Sequence, residues 1–573
     1  MTSADPLSGA LATGATPAAL RRRLLAELYP PEVAERVAAR VEQHLLGHEP
    51  AAGRPHLWDE RDAWLITYPD QFSRPGEAPL ATLLSVMEDR FEPWLNGLHV
   101  TPFFPWTSDD GFAVTSYLDV DERYGDWQDV EALAQGRRLV VDAVINHLSS
   151  QSDWFRGFLG GDPAYRGFFR TADPAADLSA TVRPRARPLL TGFDAADGPL
   201  WAWTTFSPDQ VDLDYRTPEV LLSVLEVLLA YVRRGANVLR LDAVAFLWKE
   251  EGTSSINQPQ THRLIQFLRS CVESVDPSVL VLTETNVPSH ENVAYFGSAE
   301  AAEAHLVYQF PLPAMTLHAL LTEDASRLCS WAADISPPHP GTSFLNFLAS
   351  HDGVGVRPAE GLLDAADMDL LADAVLQGGG EVTRREIPGG GTAVYELNST
   401  WYSLVAAGQP EEVALRRHLA THGIVLALRG IPALYVHSLV AGRNDRERFA
   451  ETGEPRALNR RRFDDLDAFH RALAAPASRA GASWRALRRM LEWRAATPAF
   501  HPDSAQAVLE GPAEQFAVER QALSGERARV YVNLSGKVSA APIMETGWVD
   551  FEGHQDGRRL ELRPWSSVWL RND

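Results

Sequence analysis

The sequence predicts an α/β protein: a (β/α)8 TIM barrel with inserted loop subdomains, an N-terminal helical extension and a C-terminal antiparallel β-domain. Three observations predict it. Eight short, nearly continuous apolar runs recur between residues 61 and 438, separated by helical stretches. Strands that read this way are buried on both faces, as in a parallel sheet flanked by helices. Eight such units suggest a closed barrel. Beyond about residue 500 the texture changes to short alternating runs, RARVYVNLS and RLELRPWSSVWL, which read as antiparallel strands.

Taken in order, residues 1–17 are small and polar and are expected to be loose, and residues 18–48 carry helical periodicity broken at Pro30-Pro31. That makes a two-helix extension, placed within residues 1–60. The eight strands are expected in AWLITYP (63–69), GLHVTPFFP (97–105), RLVVDAVINH (138–147), NVLRLDAV (237–244), VLVLTET (279–285), AHLVYQF (304–310), FLNFLASHD (344–352) and IPALYVHS (431–438). The barrel then occupies residues 61–149, 206–352 and 406–499. One insertion, 150–205, follows the third strand, and another, 353–405, follows the seventh, with glycine triplets at 378–380 and 389–391. Insertions this long are usually functional or fold as small subdomains. Residues 500–573 make the terminal β-domain.

The chain has 573 residues, 45% of them hydrophobic, and a net charge of −23. This composition suits a multidomain globular protein and argues against nonspecific binding to nucleic acid or anionic membranes. The two cysteines, Cys271 and Cys329, could form at most one bridge, which fits a reducing cytoplasm. No run approaches a membrane span. The first apolar stretch precedes Arg21, Arg22 and Arg23, the reverse of an export signal.

Four of the predicted strands end on carboxylates: Asp142, Asp242, Glu284 and Asp352. The C-terminal ends of barrel strands are where catalytic residues sit. Singly, each could be a helix cap or half of an ion pair, but four like charges converging on one end are costly without a function. Retaining glycosyl transfer needs two carboxyl groups in unlike states: one ionised to attack the anomeric carbon, one protonated to donate to the leaving oxygen. Strand alternation puts Arg240 and Asp242 on one side, and the guanidinium is expected to lower the Asp242 pKa. Glu284 has no cation next to it in sequence, which suits the proton donor.

DAVINH (142–147), RLDAV (240–244), the glutamate of LTET (282–285) and SHD (350–352) resemble, in order, the four conserved regions of the α-amylase superfamily. The resemblance implies Asp242 as nucleophile, Glu284 as general acid/base and Asp352 as transition-state stabiliser. It further implies that His147 and His351 bind the same glucose unit and that Arg240 orients the nucleophile. SDDGF (108–112), DERYGDW (121–127) and DAVAFLWKEEGTSS (242–255) are similar to sucrose phosphorylases and amylosucrases, which implies that Asp109 and Phe112 grip the terminal glucose. YELNSTWY (395–402) and RALNRR (456–461) are similar to segments of the sucrose-phosphorylase-like branch. By that likeness Tyr395 and Glu396 lie on a mobile loop at the acceptor and phosphate end, and Arg460 lies near the substrate. Sucrose phosphorylases generally carry glutamine where this chain has Glu396. TETNVPSHENVAYFG and EAHLVYQFPLP resemble glucosylglycerate phosphorylases more.

In the insertion string RPRARP (183–188), Arg183 and Arg187 each precede a proline and are held extended, which stiffens the segment that carries Arg183 and Arg185. It is expected to form a basic fork for a carboxylate or phosphate. The expected activity is phosphorolysis of an α-glucoside, 2-O-α-D-glucosylglycerate, to α-D-glucose 1-phosphate through a glucosyl-Asp242 intermediate. Its partners are a sugar donor, inorganic phosphate and a small acidic acceptor, with no cofactor and no metal; a homodimer is the assembly considered. The alternatives are a sucrose or sucrose 6'-phosphate phosphorylase, an amylosucrase-like glucosyltransferase, or an inactive barrel serving as a binding module. Retention of Asp242, Glu284 and Asp352 together argues against the last.

Overall fold

The computed structural model describes residues 16–47, 56–185, 187–386, 391–541, 548–551 and 560–572. The expectation of a loose N-terminal tail and part of the second glycine triplet therefore lie outside the described residues. Two helices, α1 (Pro17–Leu28) and α2 (Pro31–Leu46), open the chain. Each starts with proline in its first turn, where the missing N–H has no helical partner to lose. Both pack onto the barrel's outer layer. Arg21 is buried there, bonded to Glu42 at 2.8 Å and to the Ser274 hydroxyl at 2.8 Å on helix Pro259–Val275.

Eight parallel strands close the barrel: β1 (Trp64–Thr67), β2 (Gly97–Val100), β3 (Arg138–Ala143), β4 (Ala236–Leu241), β5 (Leu280–Thr283), β6 (Leu306–Tyr308), β7 (Ser343–Asn346) and β8 (Ile431–Tyr435). They run in sequential order around the ring, with β8 pairing back to β1. Six lie wholly inside the predicted runs, and β4 and β7 each begin one residue before theirs, at Ala236 and Ser343. Their residues are almost all buried because side chains facing inward fill the barrel and those facing outward meet helices such as Pro218–Arg233 and Pro259–Val275.

The insertion after β3 holds a helix, Asp153–Leu159, and a hairpin of strands Leu190–Ala195 and Gly198–Trp203. The insertion after β7 is more regular than a loop. It holds helix Ala365–Gln377 and a three-stranded antiparallel sheet in which Thr392–Asn398 is the middle strand, between Val354–Gly355 and Glu381–Glu386. The chain ends in a five-stranded antiparallel sheet (Ala505–Val508, Gln515–Gln521, Arg527–Asn533, Ser566–Asn572, Trp548–Asp550). Cys271 and Cys329 are free thiols. Among the described residues no helix is long and apolar enough to cross a membrane.

Candidate active site

The barrel register sets the centre of the site. Asp142 on β3 lies beside Arg240 on β4, and both point into the barrel. His99 of β2 meets Asp142 through Nε2 at 2.7 Å, while the Arg240 guanidinium donates both to Asp142 and, at 3.0 Å, to Asp242. Asp142 is fully buried beneath the cavity, so only three of the four strand-end carboxylates reach open space: Asp242, Glu284 and Asp352. Burial alone would raise the Asp142 pKa. Arg240 and then His99 outweigh that and hold it down to about 2. Asp142 is thus a fixed anion that keeps Arg240 in place.

β4 ends at Leu241, and the chain turns at Asp242. Ala243 takes a left-handed conformation (φ 49°), unusual for a residue with a Cβ, and its N–H donates to Glu284 Oε2 at 3.0 Å. The expected lowering of the Asp242 pKa by Arg240 is not what the full environment produces. Burial, joined by the charges of Glu284, Asp142 and Asp352, outweighs Arg240 and pushes Asp242 well above the ordinary carboxylate range. The guanidinium is shared with Asp142, which is why its pull on Asp242 is insufficient. Glu284 is also raised, chiefly by burial and then by Asp352. The two titrate as a coupled pair that holds a proton to higher pH than an isolated carboxyl would.

Asp352 is the opposite case. Burial would raise it, but Arg456 at 2.5 Å, then His351 and Arg460, hold it well below the usual range. The cavity therefore presents one firmly ionised carboxylate beside a proton-sharing pair.

Asp109, Phe112, His147 and His351 line the same cavity. Asp109 and Asp110 are both left-handed (φ 54° and 48°), a conformation that aspartate tolerates better than most residues, and Gly111 follows at φ 117°. That double turn aims Asp109 inward. The Phe112 ring stacks on His351 with centroids 4.9 Å apart and planes 5° from parallel, and the Phe112 carbonyl contacts His147 Nε2 at 2.9 Å. Burial lowers both histidine pKa values, that of His351 to about 3, so both rings are neutral at neutral pH.

Tyr395 and Glu396 also line the cavity, from the middle strand of the inserted sheet. Glu396 is gripped bidentately by Arg456, at 2.7 and 3.2 Å. Arg460 departs from expectation. It sits behind the wall, donating to the His351 carbonyl at 2.9 Å and to Asp110 at 3.0 Å, while Arg456, one turn earlier, is the arginine on the cavity surface. The expected fork also divides. Arg185 lines the cavity, 3.4 Å from Asp109, whereas Arg183 is exposed and is not part of the wall.

Sequence reasoning missed Arg456, Arg357 and Asn286, all on the wall. Each stands within or just beyond a segment already singled out: RALNRR, SHD and TETN. Among the described residues no group of His, Cys, Asp and Glu is arranged to hold a metal ion.

Residues 94–334 match the family model described as alpha amylase, catalytic domain. The chain is 46% identical over 481 residues to a glucosylglycerate phosphorylase of Allomeiothermus silvanus, covering 83% of this chain and 86% of that one. It is 38% identical over 522 residues to a glucosylglycerate phosphorylase of Escherichia coli (90% and 93%) and 30% identical over 428 residues to a sucrose phosphorylase of Bifidobacterium adolescentis (70% and 80%). Among solved structures, a sucrose 6F-phosphate phosphorylase from Thermoanaerobacter thermosaccharolyticum superposes with a TM-score of 0.74 at 24% identity, covering 88% of this chain and 98% of that one. The chain belongs to the α-amylase family, among its glucosyl-transferring phosphorylase relatives.

Proposed function

We propose that this enzyme is a retaining glycoside phosphorylase that transfers glucose from 2-O-α-D-glucosylglycerate to inorganic phosphate, releasing α-D-glucose 1-phosphate and glycerate. The observation that carries this reading is one cavity wall holding the coupled Asp242–Glu284 pair together with three arginines, in a chain of net charge −23. Local positive charge of that kind suits an anionic acceptor and phosphate. The names of the relatives at 38–46% identity point the same way.

This mechanism requires the single proton of the pair on Glu284 and the charge on Asp242; Arg240, 3.0 Å from Asp242, favours that arrangement, against the burial that raises the Asp242 pKa. Asp242 attacks the anomeric carbon while Glu284 protonates the departing glycerate oxygen, leaving a β-glucosyl ester on Asp242. Phosphate then attacks the same carbon from the vacated face. Glu284, now a carboxylate, takes the proton of the incoming hydrogenphosphate, and Asp242 is freed. Asp352, ionised and fixed by Arg456, faces the positive charge that develops on the sugar. Asp109, Phe112, His147 and His351 hold the glucosyl unit.

The test is to incubate the protein with α-D-glucose 1-phosphate and a panel of acceptors and to measure phosphate release. Glycerate should be the best acceptor, and proton NMR of the first-formed glucoside should show the α-anomer. A β-product refutes the double displacement. Phosphate release that does not depend on acceptor identity makes the enzyme a hydrolase.

A further inference from the structure

Three guanidiniums reach the cavity, and two are already engaged. Arg456 is held by Glu396 and Asp352, and Arg185 faces Asp109. Arg357 is different. It lines the cavity half-buried, and its guanidinium makes no hydrogen bond or ion pair with any of the described residues. A partly desolvated cation without a counter-ion is unfavourable in the empty protein and favourable as soon as an anion arrives.

Its place in the fold says which anion. Arg357 begins a single 3-10 turn, Arg357–Ala359, directly after strand Val354–Gly355. That strand pairs with the middle strand of the inserted sheet, Gly355 opposite Glu396, and the Val356 N–H donates to the Tyr395 carbonyl at 3.1 Å. Asn286, two residues beyond Glu284, lies against Gly355. A Cβ at Gly355 would come within 2.6 Å of the Asn286 amide, so only glycine lets the two segments meet this closely. The Asn286 amide reaches the Tyr395 hydroxyl at 3.5 Å, and its buried Oδ1 has no partner among the described residues. Asn286, Tyr395 and Arg357 thus form one polar wall on the Glu284 side of the cavity. A group whose oxygen is protonated by Glu284 departs along that wall.

We propose that Arg357 is a specificity-determining residue that pairs with the carboxylate of the aglycone, with the Asn286 amide and the Tyr395 hydroxyl taking the aglycone's hydroxyl groups. This rests on the phosphorylase reading above. Arg185, the arginine that sequence stiffness singled out, has Asp109 to neutralise it. Arg357 brings an uncompensated charge to the place where an acidic acceptor differs from a neutral one.

The experiment compares wild type with Arg357→Ala and Arg357→Lys in the synthetic direction, with α-D-glucose 1-phosphate as donor and either D-glycerate or glycerol as acceptor. Glycerol replaces the carboxylate by a neutral hydroxymethyl group and keeps the rest. In Arg357→Ala the KM for glycerate should rise roughly ten- to a hundredfold, the span of one charge-assisted contact. The KM values for glycerol and for glucose 1-phosphate should stay within about twofold. Lysine should restore part of the loss, since it keeps the charge but not the planar fork. The proposal is overturned if glycerate and glycerol lose equally, which marks a structural role. It is also overturned if the loss falls only on glucose 1-phosphate and phosphate, which assigns the guanidinium to the phosphoryl group, or if no KM moves. The wild-type arm tests the underlying reading separately: no phosphate release with any acceptor defeats the phosphorylase assignment whatever Arg357 does. In that event calorimetric binding of D-glycerate to wild type and Arg357→Ala still decides the matter, equal affinities overturning the proposal.

Discussion

Asp142→Asn is a substitution whose effect can be worked out from the ion cluster under the cavity. Asparagine keeps the shape, its Oδ1 can still accept from Arg240, and its amide nitrogen can donate to His99 Nε2 when the His99 proton is on Nδ1. What is lost is a buried charge. The native pKa is held at about 2, against 3.8 for an unperturbed aspartate, despite burial and because of Arg240 and His99. A difference of that size corresponds to roughly 2–3 kcal/mol of stability at neutral pH. Spread over 573 residues unfolding as one unit, this lowers Tm by about 2 °C, and by more if the barrel unfolds alone. The sign of the pH dependence follows from the lowered pKa. The wild-type advantage is complete above 3.8 and fades as the pH falls toward 2, so the Tm gap should be roughly halved near pH 3. A second readout is catalytic. The Asp142 charge raises the Asp242 pKa and competes for Arg240. Its removal should shift the acid limb of the kcat/KM profile to lower pH. A Tm gap that stays constant from pH 7 to pH 3, or an acid limb that moves upward, would refute the account of Arg240 as a cation shared between two carboxylates.

The remaining predictions test the proposed chemistry. Asp242→Asn should lower kcat by roughly four powers of ten or more while Tm changes little, the scale expected when a covalent nucleophile is removed; a variant retaining a few per cent of the rate defeats the assignment. Glu284→Gln should slow glucosylglycerate phosphorolysis by roughly 10²–10⁴ but spare α-glucosyl fluoride, whose leaving group needs no proton; equal losses on both donors would remove Glu284 from the role of acid. Glu396→Gln should release Arg456 from its bidentate partner while Asp352 still holds it, so KM for phosphate should fall; an unchanged or higher KM would mean that the Arg456 charge is not felt by the anion.

The barrel was legible because its signal is local. Each strand is a short apolar run, such as RLVVDA or WLIT, whose burial on both faces is written in consecutive residues. The carboxylates were legible for a related reason. An aspartate that interrupts LVV or LRL at a strand end announces itself, and strand alternation then brings Arg240 and Asp242 to one side. The inserted sheet was harder to see. Tyr395 and Glu396 were expected on a mobile loop by likeness to the sucrose-phosphorylase-like branch, whereas strand Thr392–Asn398 is completed by partners at 354–355 and 381–386 that single-segment patterns do not reveal.

Which arginine does what was not legible at all, and the reason is physical. An arginine's availability to a ligand depends on which carboxylate reaches it first, and those carboxylates come from distant segments. Arg460 looked like a substrate contact from its position in RALNRR, yet Asp110, 350 residues earlier in the chain, takes it behind the wall. Arg456, one turn away in the same segment, emerges on the surface and is claimed by Asp352 and Glu396. Arg185, conspicuous for its prolines, meets Asp109. Arg357 lies a few residues beyond SHD with no sequence signal of its own, and its guanidinium is the one on the cavity wall left without a partner among the described residues. The pKa of Asp242 was misjudged for the same reason: its neighbour in sequence, Arg240, is held more closely by Asp142 on another strand. In a chain with 76 acidic and 53 basic residues, the partners of each cation are decided by the fold, and the free ones mark where an anionic substrate can be received.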